Sequence, residues 1–63
     1  MKQTLRLTAL IEREGNGYVS LCPELDIASQ GDRIEDARQN LVEAIELFLE
    51  VASEAEIRER LHS

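Results

Sequence analysis

The sequence predicts an α+β domain: a three-stranded antiparallel β-meander, one long helix packed on one sheet face, and a short C-terminal helix. Three observations carry this. Apolar and polar residues alternate with period two from Gln3 to Arg13, a glycine-flanked turn follows at Glu14-Gly15-Asn16-Gly17, and apolar residues recur with period 3.6 from Ile34 to Ala52.

In the first strand, Leu5, Leu7, Ala9 and Ile11 point one way, and Thr4, Arg6, Thr8, Leu10 and Glu12 the other. Tyr18 to Cys22 is a second short strand rich in β-formers. Loop length sets its face. A two-residue Asn16-Gly17 turn pairs Gly15 with Tyr18 and puts Ser20 and Cys22 beside Leu5, Leu7 and Ile11. A three-residue Gly15-Asn16-Gly17 loop pairs Glu14 with Tyr18, with Gly17 left-handed in a bulge. The second option sets Ile11 opposite Leu21 and Arg13 opposite Val19. Because a one-residue slip turns every side chain over, the hydrophobic pattern is expected to choose that three-residue loop. Val19 and Leu21 would then be buried, and Ser20 and Cys22 would lie on the other face.

Pro23 lacks an amide donor and belongs at a strand end. Leu25, Ile27 and Ser29 alternate with Asp26, Ala28 and Gln30 as a third strand that Gly31 ends. Asp32-Arg33-Ile34-Glu35 reads as a capping box with Asp32 as N-cap, and Asp36 adds negative charge to the first turn. The helix should run to Val51 or Ala52, burying Ile34, Ala37, Leu41, Ala44, Ile45, Phe48 and Ala52. Val42 and Leu49 widen that stripe, and Leu47 and Val51 lie well round on the other side. A helix apolar over so much of its circumference is expected to have more than one neighbour. Ser53-Glu54-Ala55-Glu56 repeats the capping pattern and starts a second helix from Glu54 to Leu61, with Ile57 and Leu61 inward.

At 63 residues the chain is one domain, 1–63, with a marginal core. Cys22 is its only cysteine and His62 its only histidine, so neither an internal disulfide nor a zinc-type site can reinforce it. Oligomerisation is the remaining device, and a dimer or larger is expected. Leu10 and Tyr18 on the sheet, and Leu47 and Val51 on the helix, are the apolar groups left over to form a self-association or partner surface. Thirteen acids against seven bases give a net charge of −6, which argues against nucleic acid and anionic membranes and favours a basic protein partner. The same charge would also keep a small domain soluble. No run is long enough to span a membrane, and with no export signal and one free cysteine the chain is expected to be cytoplasmic.

Catalytic chemistry has few candidates, and the chain reads as no enzyme, with no cofactor and no metal. A nucleophilic Cys22 would need a histidine, and His62 stands next to the terminus. Glu24 and Asp26, two apart, are the kind of pair that can hold Mg²⁺ or share a proton, but no third ligand is evident. Two acids flanking a loop are ordinarily solvated.

The run Tyr18-Val19-Ser20-Leu21-Cys22-Pro23-Glu24, with Ser29-Gln30-Gly31-Asp32 after it, resembles the signature of HicB-family antitoxins. Glu35-Asp36-Ala37, Asn40-Leu41 and Glu43-Ala44-Ile45 extend the resemblance over nearly the whole chain. It implies a partly degraded ribonuclease-H-like fold. It also implies a partner, a small basic HicA-type toxin that cleaves mRNA and that the antitoxin keeps from RNA. Many family members add a C-terminal DNA-binding module; about a dozen residues follow Val51, too few for one, so operator binding is not carried over. On this reading Glu43, Glu46, Glu50, Glu24 and Asp26 form an acidic rim around the apolar contact, although each also reads as ordinary solvated surface. The alternative is a remnant ribonuclease-H-like enzyme or a small-ligand module.

Overall fold

In the computed structural model, residues 6–61 are described. They form β1 (Leu10–Glu14), β2 (Gly17–Cys22), β3 (Ile27–Gly31), α1 (Ile34–Val51) and α2 (Glu54–Leu61). The three strands make one antiparallel sheet in the order β1-β2-β3, and α1 covers one face of it. This is the expected α+β architecture. Leu5 and His62 lie outside the described residues.

The first strand is shorter than its alternation implies. It begins at Leu10, opposite Leu21, and residues 6–9 have no regular structure. A strand extends only while it has a partner, and β2 stops at Cys22, where Pro23 cannot donate to a ladder. Leu7 still packs against the core from this irregular segment.

The hairpin register corrects the expected one. Glu14 pairs with Gly17, Arg13 with Tyr18 and Ile11 with Ser20, so the loop is the two residues Gly15-Asn16. Gly15, with φ of +60°, takes the left-handed conformation at the first central position, as a type II′ turn requires. Ser20 and Cys22 therefore lie under α1, at 1% and 0% exposure, while Leu21 points away and is 37% exposed. Tyr18 follows Ser20 and Cys22 by alternation onto the helix side, and Leu10, Val19 and Leu21 share the open face.

The reason is the closeness of α1. The Ser20 hydroxyl donates a 2.8 Å hydrogen bond to the Ala37 carbonyl, which a leucine side chain could not do. A Cβ on Gly31 would stand 2.5 Å from the Ala37 nitrogen and 2.7 Å from the Asp36 carbonyl carbon. Helix and sheet touch nearly backbone to backbone here, so the sheet face beneath α1 carries Ser20, Ser29 and Gly31 in place of large residues. Bulk comes from elsewhere: Leu41 of α1 and Leu25 of the β2–β3 connection, both fully buried in one cluster with Cys22. Ile27, Ile45, Phe48 and Leu61 close the cluster.

Leu25 is thus a core residue held in a turn, its N–H donating to the Cys22 carbonyl at 3.3 Å, and β3 starts only at Ile27. Asp26 takes φ of +55° to complete the reversal, a conformation that Asp tolerates better than most side chains.

The N-terminus of α1 also departs from expectation. Arg33, extended at φ −128° and ψ 163°, occupies the N-cap, with no side-chain cap, and Asp32 stands one residue outside. Glu35 and Asp36 still put negative charge at the positive end of the helix dipole. Ile34, expected in the buried stripe, is 52% exposed, because the chain enters the helix there before α1 settles onto the sheet at Ala37. Ala44, Ile45, Phe48 and Ala52 are half-buried as the lower part of the stripe.

The second helix matches its predicted limits, and the Glu56 N–H donates to Ser53 Oγ at 3.1 Å as the capping pattern requires. Arg60 anchors it. One guanidinium N–H donates to the Leu25 carbonyl at 2.7 Å, and the guanidinium carbon lies 4.8 Å from the centre of the Phe48 ring.

Candidate protein-binding surfaces

The surface residues singled out from the sequence separate into three places. Leu10, 50% exposed, joins Leu21, Val19 and Ala28 on the uncovered sheet face, where they line a shallow apolar depression with Glu12. Val19 and Leu21 were not among the sequence-derived candidates. They belong to this surface only in the observed register.

Tyr18 does not share that face. It lies at the other side of the sheet, where it lines a groove with Glu14, Asp32, Asp36 and Asn40 near the start of α1. Asn40 spans this region by donating from Nδ2 to the Gln30 carbonyl of β3 at 2.7 Å.

Leu47 and Val51 form the third place. They are four residues apart on the outer side of α1, 61% and 78% exposed, with exposed Glu43, Glu46 and Glu50 beside them. The α2 helix covers the Phe48 side and leaves this pair open.

Glu24 and Asp26 do not form a matched pair. The Thr8 N–H donates to Glu24 Oε1 at 3.0 Å and the Thr8 hydroxyl to Oε2, so both carboxylate oxygens are engaged in tying the N-terminal segment to the β2–β3 connection. Asp26 faces Glu56, Glu59 and Arg60 of α2 instead. Among the described residues no group of three or more His, Cys, Asp and Glu side chains could hold a metal ion.

The Thr8 hydroxyl, and then the Thr8 N–H, favour the charged form of Glu24 and lower its pKa from 4.5 to about 2. A depressed carboxyl pKa contributes stability that is complete above the unfolded value and is lost as pH falls through the folded one. The stability advantage of the wild type over Glu24→Gln should therefore hold steady above pH ~5 and shrink between ~4.5 and ~2. Urea unfolding of both proteins across that range tests it; a difference that stays level through the acid range would mean that the clasp does not form.

Cys22 is fully buried and free, and burial pushes its thiol pKa up, so it is protonated at neutral pH and is a poor nucleophile. Its Sγ lies 3.6 Å from Glu24 Oε1. Packing accounts for the residue.

The fold and its surfaces are those of a small sheet-and-helix domain with apolar groups left uncovered on both outer sides. No helix among the described residues is long and apolar enough to cross a membrane. The homologues of the chain are UPF0150 proteins. One from Synechocystis sp. is 49% identical over 51 residues, which cover 78% of this chain and 65% of the relative. A second from the same organism is 48% identical over 46 residues, 70% of this chain and 64% of the relative. A UPF0150 protein of Helicobacter pylori is 46% identical over 44 residues, 68% and 61% of the two lengths. The chain therefore spans less than two thirds of the length of these relatives. No family model matches the chain. No solved structure matches it.

Proposed function

We propose that the chain acts by binding a protein, as a HicB-type antitoxin that neutralises a small basic HicA-type mRNA interferase in the cytoplasm. The observation that carries this is the apolar surface left open on a strongly acidic domain: Leu10 and Leu21 on the sheet, Leu47 and Val51 on the helix. Large exposed apolar groups rimmed by charge are how a partner surface is built, with affinity from the apolar centre and encounter rate from the charge. The resemblance along Tyr18–Glu24 and Ser29–Asp32 supplies the identity of the partner. A remnant nuclease or small-ligand module has less support, since Glu24 already gives both oxygens to Thr8.

The sheet face has Glu12 in its depression and Glu14 further along the same side of β1, and its apolar centre is also suited to pairing two copies, which fits the marginal core of a chain this small. The reading expects a small basic protein to be encoded beside the gene, and co-expression with that protein is the test. The chain should relieve the growth arrest and copurify with that protein, and sedimentation equilibrium should find two or more copies of the chain in the complex. Persistent arrest with nothing copurified, or metal-dependent RNA cleavage by the chain alone that Glu24→Ala removes, would defeat it.

A further inference from the structure

Resting on that reading, we infer that the basic partner docks on the C-terminal half of α1, over Leu47 and Val51, and not on the open sheet face. Both surfaces are apolar, and they differ in charge. The sheet depression has the single acid Glu12 beside Leu10, Val19, Leu21 and Ala28. On α1, Glu43, Glu46 and Glu50 follow at spacings of three and four, so they form a continuous row along the edge of the Leu47–Val51 pair.

That row works against the helix that carries it. Like charges three and four apart repel, and Glu50 lies in the last turn, at the negative end of the helix dipole, where no basic residue offsets it. At the other end of α1 the acids are placed as the dipole favours, with Glu35 and Asp36 in the first turn. An arrangement that breaks a local stability rule beside an exposed apolar pair is accounted for by what it meets. Two copies of the chain meeting here would oppose their glutamate rows, whereas a cationic surface with an apolar centre would complement both features.

The test uses the full chain and a catalytically inactive form of the basic toxin, with affinity read by titration calorimetry and stability by thermal melting. Glu50→Lys should raise the melting temperature by roughly 2–6 °C and weaken toxin binding about tenfold or more. Leu47→Asp should weaken binding by a similar factor or more while the fold is kept, because that side chain is 61% exposed. Leu21→Asp, on the sheet face, should leave toxin affinity within about twofold and instead lower the self-association mass. If Leu21→Asp abolishes toxin binding while Glu50→Lys and Leu47→Asp do not, the docking assignment is wrong and the antitoxin reading stands. If the wild-type chain does not bind the toxin, both fall.

Discussion

Replacing Gly31 with alanine is expected to remove a large share of the protein's folding stability. The added Cβ would stand 2.5 Å from the Ala37 nitrogen and within 2.7 Å of the Asp36 carbonyl carbon and Cβ. The first two are backbone atoms of a helix, which cannot swing aside as the end of a flexible side chain could. The strand and the helix would have to separate, carrying with them the Ser20–Ala37 hydrogen bond made on the same contact. Overpacking of this kind costs about 3 kcal/mol. A domain of 63 residues has a total stability of only roughly 3–9 kcal/mol. Urea unfolding followed by circular dichroism reads the loss directly. A midpoint for Gly31→Ala equal to that of the wild type would show that α1 does not approach β3 as described.

Truncating Leu41 to alanine should be comparably damaging. Its side chain is fully buried in one cluster with Cys22 and Leu25, and a leucine lost from such a site typically costs about 2–5 kcal/mol through lost transfer energy and the cavity left behind. Leu47→Ala, six residues along the same helix, should cost less than about 0.5 kcal/mol, since 61% of Leu47 is already in water. The contrast separates the two faces of α1 in one pair of denaturation curves. Equal losses at the two positions would mean that Leu47 is covered in solution by the free protein's own association, and dilution of the sample would then restore the difference.

Much of this fold was legible because local rules agree along most of the chain. The long apolar period set the limits of α1, the Ser53 capping pattern set the start of α2, and Gly31 ended β3 as expected. The hairpin register was not legible. Glycines flank Asn16 on both sides, so either can take the left-handed position, and the pattern of large apolar residues pointed to Val19 and Leu21. That pattern misled because α1 sits too close to the sheet at Ser20 and Gly31 for large side chains there. The telling signal was the run of small residues, Ser20, Ser29 and Gly31, facing Ala37. The displacement of Tyr18 from the open face followed from the same one-residue slip.

The residues that carry the HicB resemblance also gain a physical account. Ser20, Gly31 and Ala37 make the close contact, Asn40 ties α1 to the Gln30 carbonyl, and Glu24 holds Thr8. They fix how the sheet and helix meet, and the surface residues proposed for binding are largely different ones. Arg60 gave no sequence signal at all, since its bond to the Leu25 carbonyl spans 35 residues and depends on the final fold.

The strand order β1-β2-β3 has a kinetic consequence. Each strand pairs only with its immediate successor, and α1 then folds back onto β3, from which two residues separate it. No long loop must be closed before favourable contacts form, so the entropic search is short at every step. Folding on a millisecond scale or faster is the corresponding expectation for a small domain of such local topology. The contact from Arg60 to Leu25, 35 residues apart, joins only after the sheet and α1 exist to receive it. A chain assembled in this order exposes its unpaired strand edges only briefly, which limits the time in which two unfinished copies could capture one another.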